Sequence, residues 1–253
     1  MTIIQPSAGA GTPTVGGVLT QLLPGLRDFR TPLVAGYIWL VAVWLAVHER
    51  IPARERSRGL IKDVYVLADS VGRPASLAAV SLVAYLVGAV VEVRADSVIK
   101  AANALWFVNI GWVSDSAMTD LRDYVSTAVK GKAQAAADGR DVDADTTRLM
   151  NEIAAERDQL VLRIRHSTRA KYEEFARTSA EADFRVSAGI ALLTPVLVLG
   201  LGYEPAAIAL LVLPLWLIIK GCMRLRGAND QLVQALTISE TSSGAVQRYS
   251  ASS

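Results

Sequence analysis

The chain has 253 residues, of which 52% are hydrophobic and only 20% charged, and its mean hydropathy is +0.33. Soluble domains carry about a quarter charged residues, whereas here the charges crowd between four stretches that hold none. This pattern excludes disordered, collagen-like and disulfide-scaffold chains, and a net charge of +2 is too mild to point to a nucleic-acid partner. It indicates an all-α integral membrane protein.

Residues 1–30 read as a flexible N-terminal segment. No basic residue precedes an apolar core between Met1 and Thr20, so this is not a secretory signal peptide. The stretch GAGTPTVGG matches neither GxGxxG nor GxxxxGK[ST], so it is not a phosphate-binding loop.

The first charge-free window is Thr31–Val47, the second Pro74–Val91, the third Val186–Tyr203 and the fourth Pro205–Ile219. A span takes roughly 17–25 apolar residues. The fourth window reaches that length if Lys220 snorkels and Gly221, Cys222 and Met223 extend the helix. The sequence therefore predicts four transmembrane helices: a first pair over 31–93, with a 48–73 connecting loop, and a second transmembrane hairpin over 186–223. Within the loop, Leu60, Ile61, Val64, Leu67 and Val71 recur at helical spacing, which predicts a short helix along the membrane surface.

The second window carries Ser81, Ala84 and Gly88 on one helix side, a small-residue face suited to close packing in lipid. Trp39 and Trp44 are expected to pack against other helices. Pro195 and Pro214 are expected to kink the last two spans near mid-depth. Cys222 is the only cysteine and reads as a small hydrophobe near a membrane edge.

Between the second and third spans lie 94 residues with 16 acids and 14 bases. Val98–Val113, which includes Lys100, Asn103, Trp106, Asn109 and Trp112, reads as an amphipathic surface helix. Residues 94–185 are predicted to form a cytoplasmic antiparallel helical hairpin. Its first helix starts at Ser114 or Asp115 and buries Leu121, Tyr124, Val125 and Val129. Its second starts near Asp145 or Thr146, with Leu149, Ile153, Leu160, Ile164, Thr168 and Phe175 as its stripe, interrupted at Glu156–Arg157 and Lys171. No proline or glycine falls between Asp145 and Ala188, so this helix is expected to run unbroken into the third span as a rod. Residues 224–253 read as a largely disordered C-terminal tail.

Orientation follows from arginine and lysine counts in the flanking segments. With both termini cytoplasmic, 20 bases fall inside and six outside. The misfit is the first loop, which holds all six: Arg50, Arg54, Arg56, Arg58, Lys62 and Arg73.

Few motifs carry chemistry. Asp141, Asp143, Asp145 and Glu152 occupy positions 1, 3, 5 and 12 of a calcium loop. However, Thr146 stands where the sharp turn needs glycine, and aspartates at a helix start oppose its dipole in any case. His48 and His166 have no ligand partners nearby in sequence. The pairs Glu173–Arg177 and Glu181–Arg185, and the basic run Arg163, Arg165, His166, Arg169 and Lys171, read as a solvated helix face. No span holds an ionisable residue in its interior, which disfavours proton-coupled transport. The sequence thus points away from an enzyme and implies no cofactor or metal. The functional expectation is a scaffold in the cytoplasmic membrane that forms a homo-oligomer and presents the 114–184 hairpin to a protein partner. The alternative is an oligomeric pore gated by that hairpin and lined by Ser187 and Thr194, including a membrane-disrupting effector.

Overall fold

The computed structural model describes residues 15–105, 111–136, 141–238 and 243–251. All regular structure among them is helical. Four helices are long and apolar enough to cross a membrane: Phe29–Arg50, Leu60–Val90, Arg169–Gly202 and Pro205–Thr237. The chain is therefore a multi-pass helical membrane protein. It divides into two compact units, residues 1–92 and 93–253.

The first unit pairs α1 (Val15–Val47) with α2 (Leu60–Val90). Helix already begins at Val15, where the sequence predicts a flexible segment; residues 1–14 lie outside the described ones. Val18, Leu22, Leu23 and Leu26 recur at helical spacing, a signal that extends the first window backwards. The two helices run antiparallel, with Phe29 beside Tyr85 at 5.3 Å between ring centroids and Tyr37 hydrogen-bonded to Ser81 at 2.5 Å. Between these contacts the backbones touch. A Cβ on Gly36 would overlap the Ala84 carbonyl, and one on Gly88 would overlap the Pro32 carbonyl. Ala35, Ala42 and Ala84 are buried along the same seam. The small-residue face is thus occupied by α1 of the same chain. Trp44 departs from expectation: it is exposed and stacks on His48, one turn further on.

The second unit is built on α7 (Arg169–Gly202) and α8 (Val212–Thr237), joined by Tyr203–Glu204 and a 3-10 segment over Pro205–Leu211. They run antiparallel, because Gly200 meets Ile208, Gly189 meets Pro214 and Ile218, and Gly221 meets Ala182 and Val186. A Cβ on Gly189 would lie 2.9 Å from the Pro214 carbonyl, and one on Gly221 would lie 2.9 Å from the Ala182 carbonyl. Pro195 is buried inside α7. Pro214 does not sit at mid-helix: it falls in the first turn of α8, where a missing N–H has no helical acceptor to lose.

α8 changes surroundings along its length. Val212, Leu213, Leu215, Trp216 and Ile219 are exposed, as lipid-facing side chains are, whereas Leu225, Ala228, Asn229, Leu232, Val233 and Leu236 are buried. Against this buried half pack α4 (Asp115–Ala136) and α6 (Arg157–Ser167), while α5 (Val142–Ala155) and α9 (Gly244–Ala251) pack on α4 and on each other. Their shared core holds Leu121, Val125, Val129, Leu149, Ile153, Leu160, Val233, Leu236 and Ala245. α3 (Ala95–Ala104) adds Ala95 and Ile99 to Ala182, Val186, Cys222 and Leu225.

Three expectations are corrected here. The predicted rod is broken twice, at Glu156 (φ −82°, ψ 6°) and at Thr168 (φ −143°, ψ 93°), although Leu149, Ile153, Leu160, Ile164 and Phe175 of its stripe are buried. The tail over 224–253 is not largely disordered: 224–237 complete α8, and α9 docks in the core. The surface helix predicted over Val98–Val113 is the shorter α3, whose inner face packs on α7 and α8; Trp106 and Asn109 lie outside the described residues, and Trp112 packs against the core.

The α1–α2 seam makes a testable prediction. Gly88→Leu forces the two backbones apart and should destabilise the pair by about 1–3 kcal/mol, read from the midpoint of SDS unfolding in mixed micelles. Gly131→Ala is the control, because nothing lies within 4 Å of a Cβ there; it should stabilise α4 by up to about 1 kcal/mol.

Candidate functional site

The polar side chains of the second unit converge where α7 and α8 leave their apolar stretches. On α7, Ser187 Oγ donates to the Val93 carbonyl at 2.8 Å and accepts from the Val93 N–H at 3.2 Å. One turn earlier, Asp183 Oδ1 accepts from the Ala95 N–H at 2.8 Å. Together they fix the backbone entering α3, whose first-turn N–H groups have no helical acceptors of their own.

A second clamp comes from α8. Asn229 Nδ2 donates to the Trp112 carbonyl at 2.7 Å, and Asp230 Oδ1 accepts from the Ser114 N–H at 2.8 Å. Arg226 donates through Nε and Nη2 to the Val113 carbonyl at 3.2 and 2.9 Å. Three side chains within two turns of one helix thus hold three consecutive backbone residues and set the start of α4. Asn229 is 3% exposed, and its Oδ1 accepts from Arg157 Nε at 2.9 Å. Arg157 also lies 3.7 Å from Asp96, linking α6, α8 and α3.

The third feature is the docked C-terminal helix. Glu156, at the break between α5 and α6, is 8% exposed. Its Oε2 accepts from the Ala245 N–H at 3.0 Å and from Ser243 Oγ at 3.3 Å, and its Oε1 accepts from Arg248 Nη2 at 2.5 Å. Ser243 Oγ also accepts from the N–H groups of Ala245 and Val246, so it caps α9. The carboxylate therefore sits at the positive end of a helix dipole. Burial opposes its ionisation, but the Arg248 hydrogen bond, the Ala245 N–H, the Arg248 charge and the Ser243 hydroxyl outweigh that cost. The carboxyl is held below the ordinary glutamate range. At the far end of α9, Tyr249 donates to Asp145 Oδ2 at 3.0 Å, and Lys132 lies 4.5 Å above the Tyr249 ring while donating to its carbonyl.

The four candidate calcium ligands are not brought together. Asp141 is the N-cap of α5, accepting from the N–H groups of Asp143 and Ala144. Asp143 lies 3.9 Å from Arg122, Asp145 serves Tyr249, and Glu152 accepts from Arg148 at 3.0 Å. Thr146 is buried inside the helix, with its hydroxyl on the Val142 carbonyl, so no loop exists for a cation to enter. Among the described residues no cluster of three or more His, Cys, Asp or Glu side chains forms a metal site. Ser187, expected along a pore, is buried and engaged by Val93. Glu173 pairs with Arg169 and Glu181 with Arg185, while Arg165 stacks on Tyr172. Cys222 is buried against α3 and α7.

Two depressions on α4 and α5 are open and shallow. One is lined by Asp120, Asp123, Tyr124 and Thr127, the other by Asp141, Asp143, Thr147 and Arg148. A cleft of about 120 Å³ between α6, α7 and α8 has Glu174 and Gln231 at its edge, well below the roughly 300–1,000 Å³ of a small-molecule site. Of the hub residues, Glu156 and Arg157 enter the sequence reading only as an interruption of the apolar stripe, and Asn229, Asp230 and Arg248 do not enter it. One signal for them was present: Leu225, Ala228, Leu232 and Leu236 recur at helical spacing around Asn229. No protein-family model, curated protein or solved structure matches the chain.

The sign of the pH effect follows from the lowered pKa of Glu156. Its contribution to α9 docking is complete above the ordinary glutamate range and is lost as pH falls through its lower folded value. The protection factor of the Ala245 amide, its exchange rate set against the intrinsic rate at each pH, should therefore be high at neutral pH and fall below that range. Glu156→Ala should remove about 1–3 kcal/mol of protection at neutral pH, because the Ser243 hydroxyl loses its acceptor and the Ala245 N–H loses the nearer of its two. In that variant the acid-dependent loosening should be reduced.

Proposed function

We propose that the protein is a non-enzymatic scaffold that anchors a folded helical interaction domain to the cytoplasmic membrane and assembles as a homo-oligomer. The observation that carries this reading is α8. A single uninterrupted helix has an exposed apolar half, suited to lipid, and a buried half at the centre of the α4–α6 core. Anchor and domain share one backbone, so the domain is held to the membrane rather than tethered by a linker. The 20-to-6 distribution of bases supports a cytoplasmic position for the domain and both termini.

The partner surface is the outer face of α4 and α5. Exposed Asp120, Asp123, Asp141 and Asp143 give that face acidic character, which suits a basic protein segment. The pore reading is weaker because Ser187, one of its two expected lining residues, is committed to backbone hydrogen bonds within the same unit.

Two measurements test the proposal. Purified protein in liposomes should release neither potassium nor a small dye above protein-free vesicles, while running as one oligomer by multi-angle light scattering. Flux from that oligomer would replace the scaffold with the pore. A cysteine placed at Thr147, in a Cys222→Ala background, should be labelled by a membrane-impermeant maleimide only after cells are opened. Labelling of intact cells would invert the topology.

A further inference from the structure

Among the described residues, the glycines with positive φ are Gly59 (φ +62°, ψ −140°) and Gly72 (φ +78°, ψ 166°). Both conformations belong to a region that residues with a Cβ scarcely enter. They bracket one segment, the first three turns of α2. The chain is thus bent on entering this helical piece and again on leaving it for the span that follows. Pro74, in the first turn after the second bend, needs no helical acceptor for a donor it lacks.

The bracketed helix is amphipathic in the unusual sense. Leu60, Val64, Leu67 and Val71 fall on one narrow stripe at i, i+4, i+7 and i+11, and all are exposed, Leu60 by 83% and Val64 by 63%. Lys62 and Asp69 lie on the opposite side of the helix, where Asp69 pairs with Arg54 of the preceding loop. That loop and the helix together hold six arginine and lysine residues against four acids, counting residues 48–73. Arg50, Arg56 and Arg58 are exposed.

We propose that residues 48–73 form an anionic-lipid-binding element, with the Leu60–Val71 helix lying in the plane of the membrane surface. Covalent continuity with the span fixes the depth: Val71 is three residues from the first residue of the charge-free window, so the stripe meets the boundary between headgroups and acyl chains. There an exposed aliphatic row is buried, while the surplus of bases faces phosphate and carboxylate headgroups. This also gives a role to the six bases that fit poorly in a loop on the outer side.

The test uses the full chain in a Cys222→Ala background, reconstituted into nanodiscs of phosphatidylcholine alone or mixed with phosphatidylglycerol. Nitroxides at Val64 and Leu67 should be severalfold more accessible to oxygen than to a water-soluble nickel complex, with the reverse at Lys62. Phosphatidylglycerol should deepen the Val64 label, and Arg56→Gln with Arg58→Gln should cancel that shift. Water-like accessibility at Val64 and Leu67 would overturn the in-plane helix. Equal depth in both lipids would overturn the headgroup preference. Protection from both reagents, with spin broadening that disappears on dilution with unlabelled protein, would show that a second copy covers the stripe instead of lipid.

Discussion

Backbone-to-backbone contact between α7 and α8 sets the second unit. Between helices in a bilayer, apolar surface gains little by leaving lipid for protein, so association rests on close van der Waals packing. Gly189 and Gly221 supply it at two levels of the same antiparallel pair, each accepting a carbonyl of the facing helix where a side chain would otherwise stand. These contacts fix the register of α8 against α7. That register then determines where Arg226, Asn229 and Asp230 emerge relative to the backbone at 112–114. A shift of one residue would rotate this row by about 100° and strand buried polar groups on both sides.

The buried polar groups belong to the same logic. Asn229 could be replaced by an apolar residue of similar size only if the Trp112 carbonyl and Arg157 found other partners. In its place they are satisfied by one amide that donates to the first and accepts from the second. A fully satisfied network of this kind specifies one arrangement of α3, α6 and α8, and a half-satisfied one costs more than an apolar core. Glu156 is the counterpart at the other end of the unit. It interrupts a helix that local propensity would continue, and its carboxylate receives the start of α9.

What was readable in the sequence divides along that line. Period and charge gave all four spans, the start of α4 to within a residue, and a stripe of which Leu149, Ile153, Leu160, Ile164 and Phe175 are buried in the structure. Those features depend on the solvent each face meets, and a hydrophobic period records it directly. The Glu156 break coincides with an interruption of that stripe, and its carboxylate meets residues far along the chain; neither proline nor glycine marks the Thr168 break. The misreading of 224–253 has a different origin. Across Leu225–Leu236 the helical period is intact, carried by Leu225, Ala228, Leu232 and Leu236, and a tail assigned as one block overrides it. The polar hub was unreadable for a further reason. Asn229 and Arg157 stand 72 residues apart, and nothing in either neighbourhood marks them as partners.

The docked α9 shows why a broken helix can serve this fold better than a rod. An unbroken helix from Asp145 into the third span would present its stripe along one line, leaving the groove between α4 and α5 open at its end. Breaking at Glu156 turns the chain so that Leu160 and Ile164 face α8 instead of following the original axis. It also exposes the groove to the chain's own C-terminus, which fills it with Ala245, Val246 and Tyr249. The buried carboxylate then does two things that an apolar residue could not: it satisfies the first-turn N–H of α9, and it selects Arg248 as the flanking residue. Because Arg248 is largely exposed, most of the strength of this contact lies in the buried hydrogen bonds rather than in the ion pair. The docking therefore responds to protonation of Glu156.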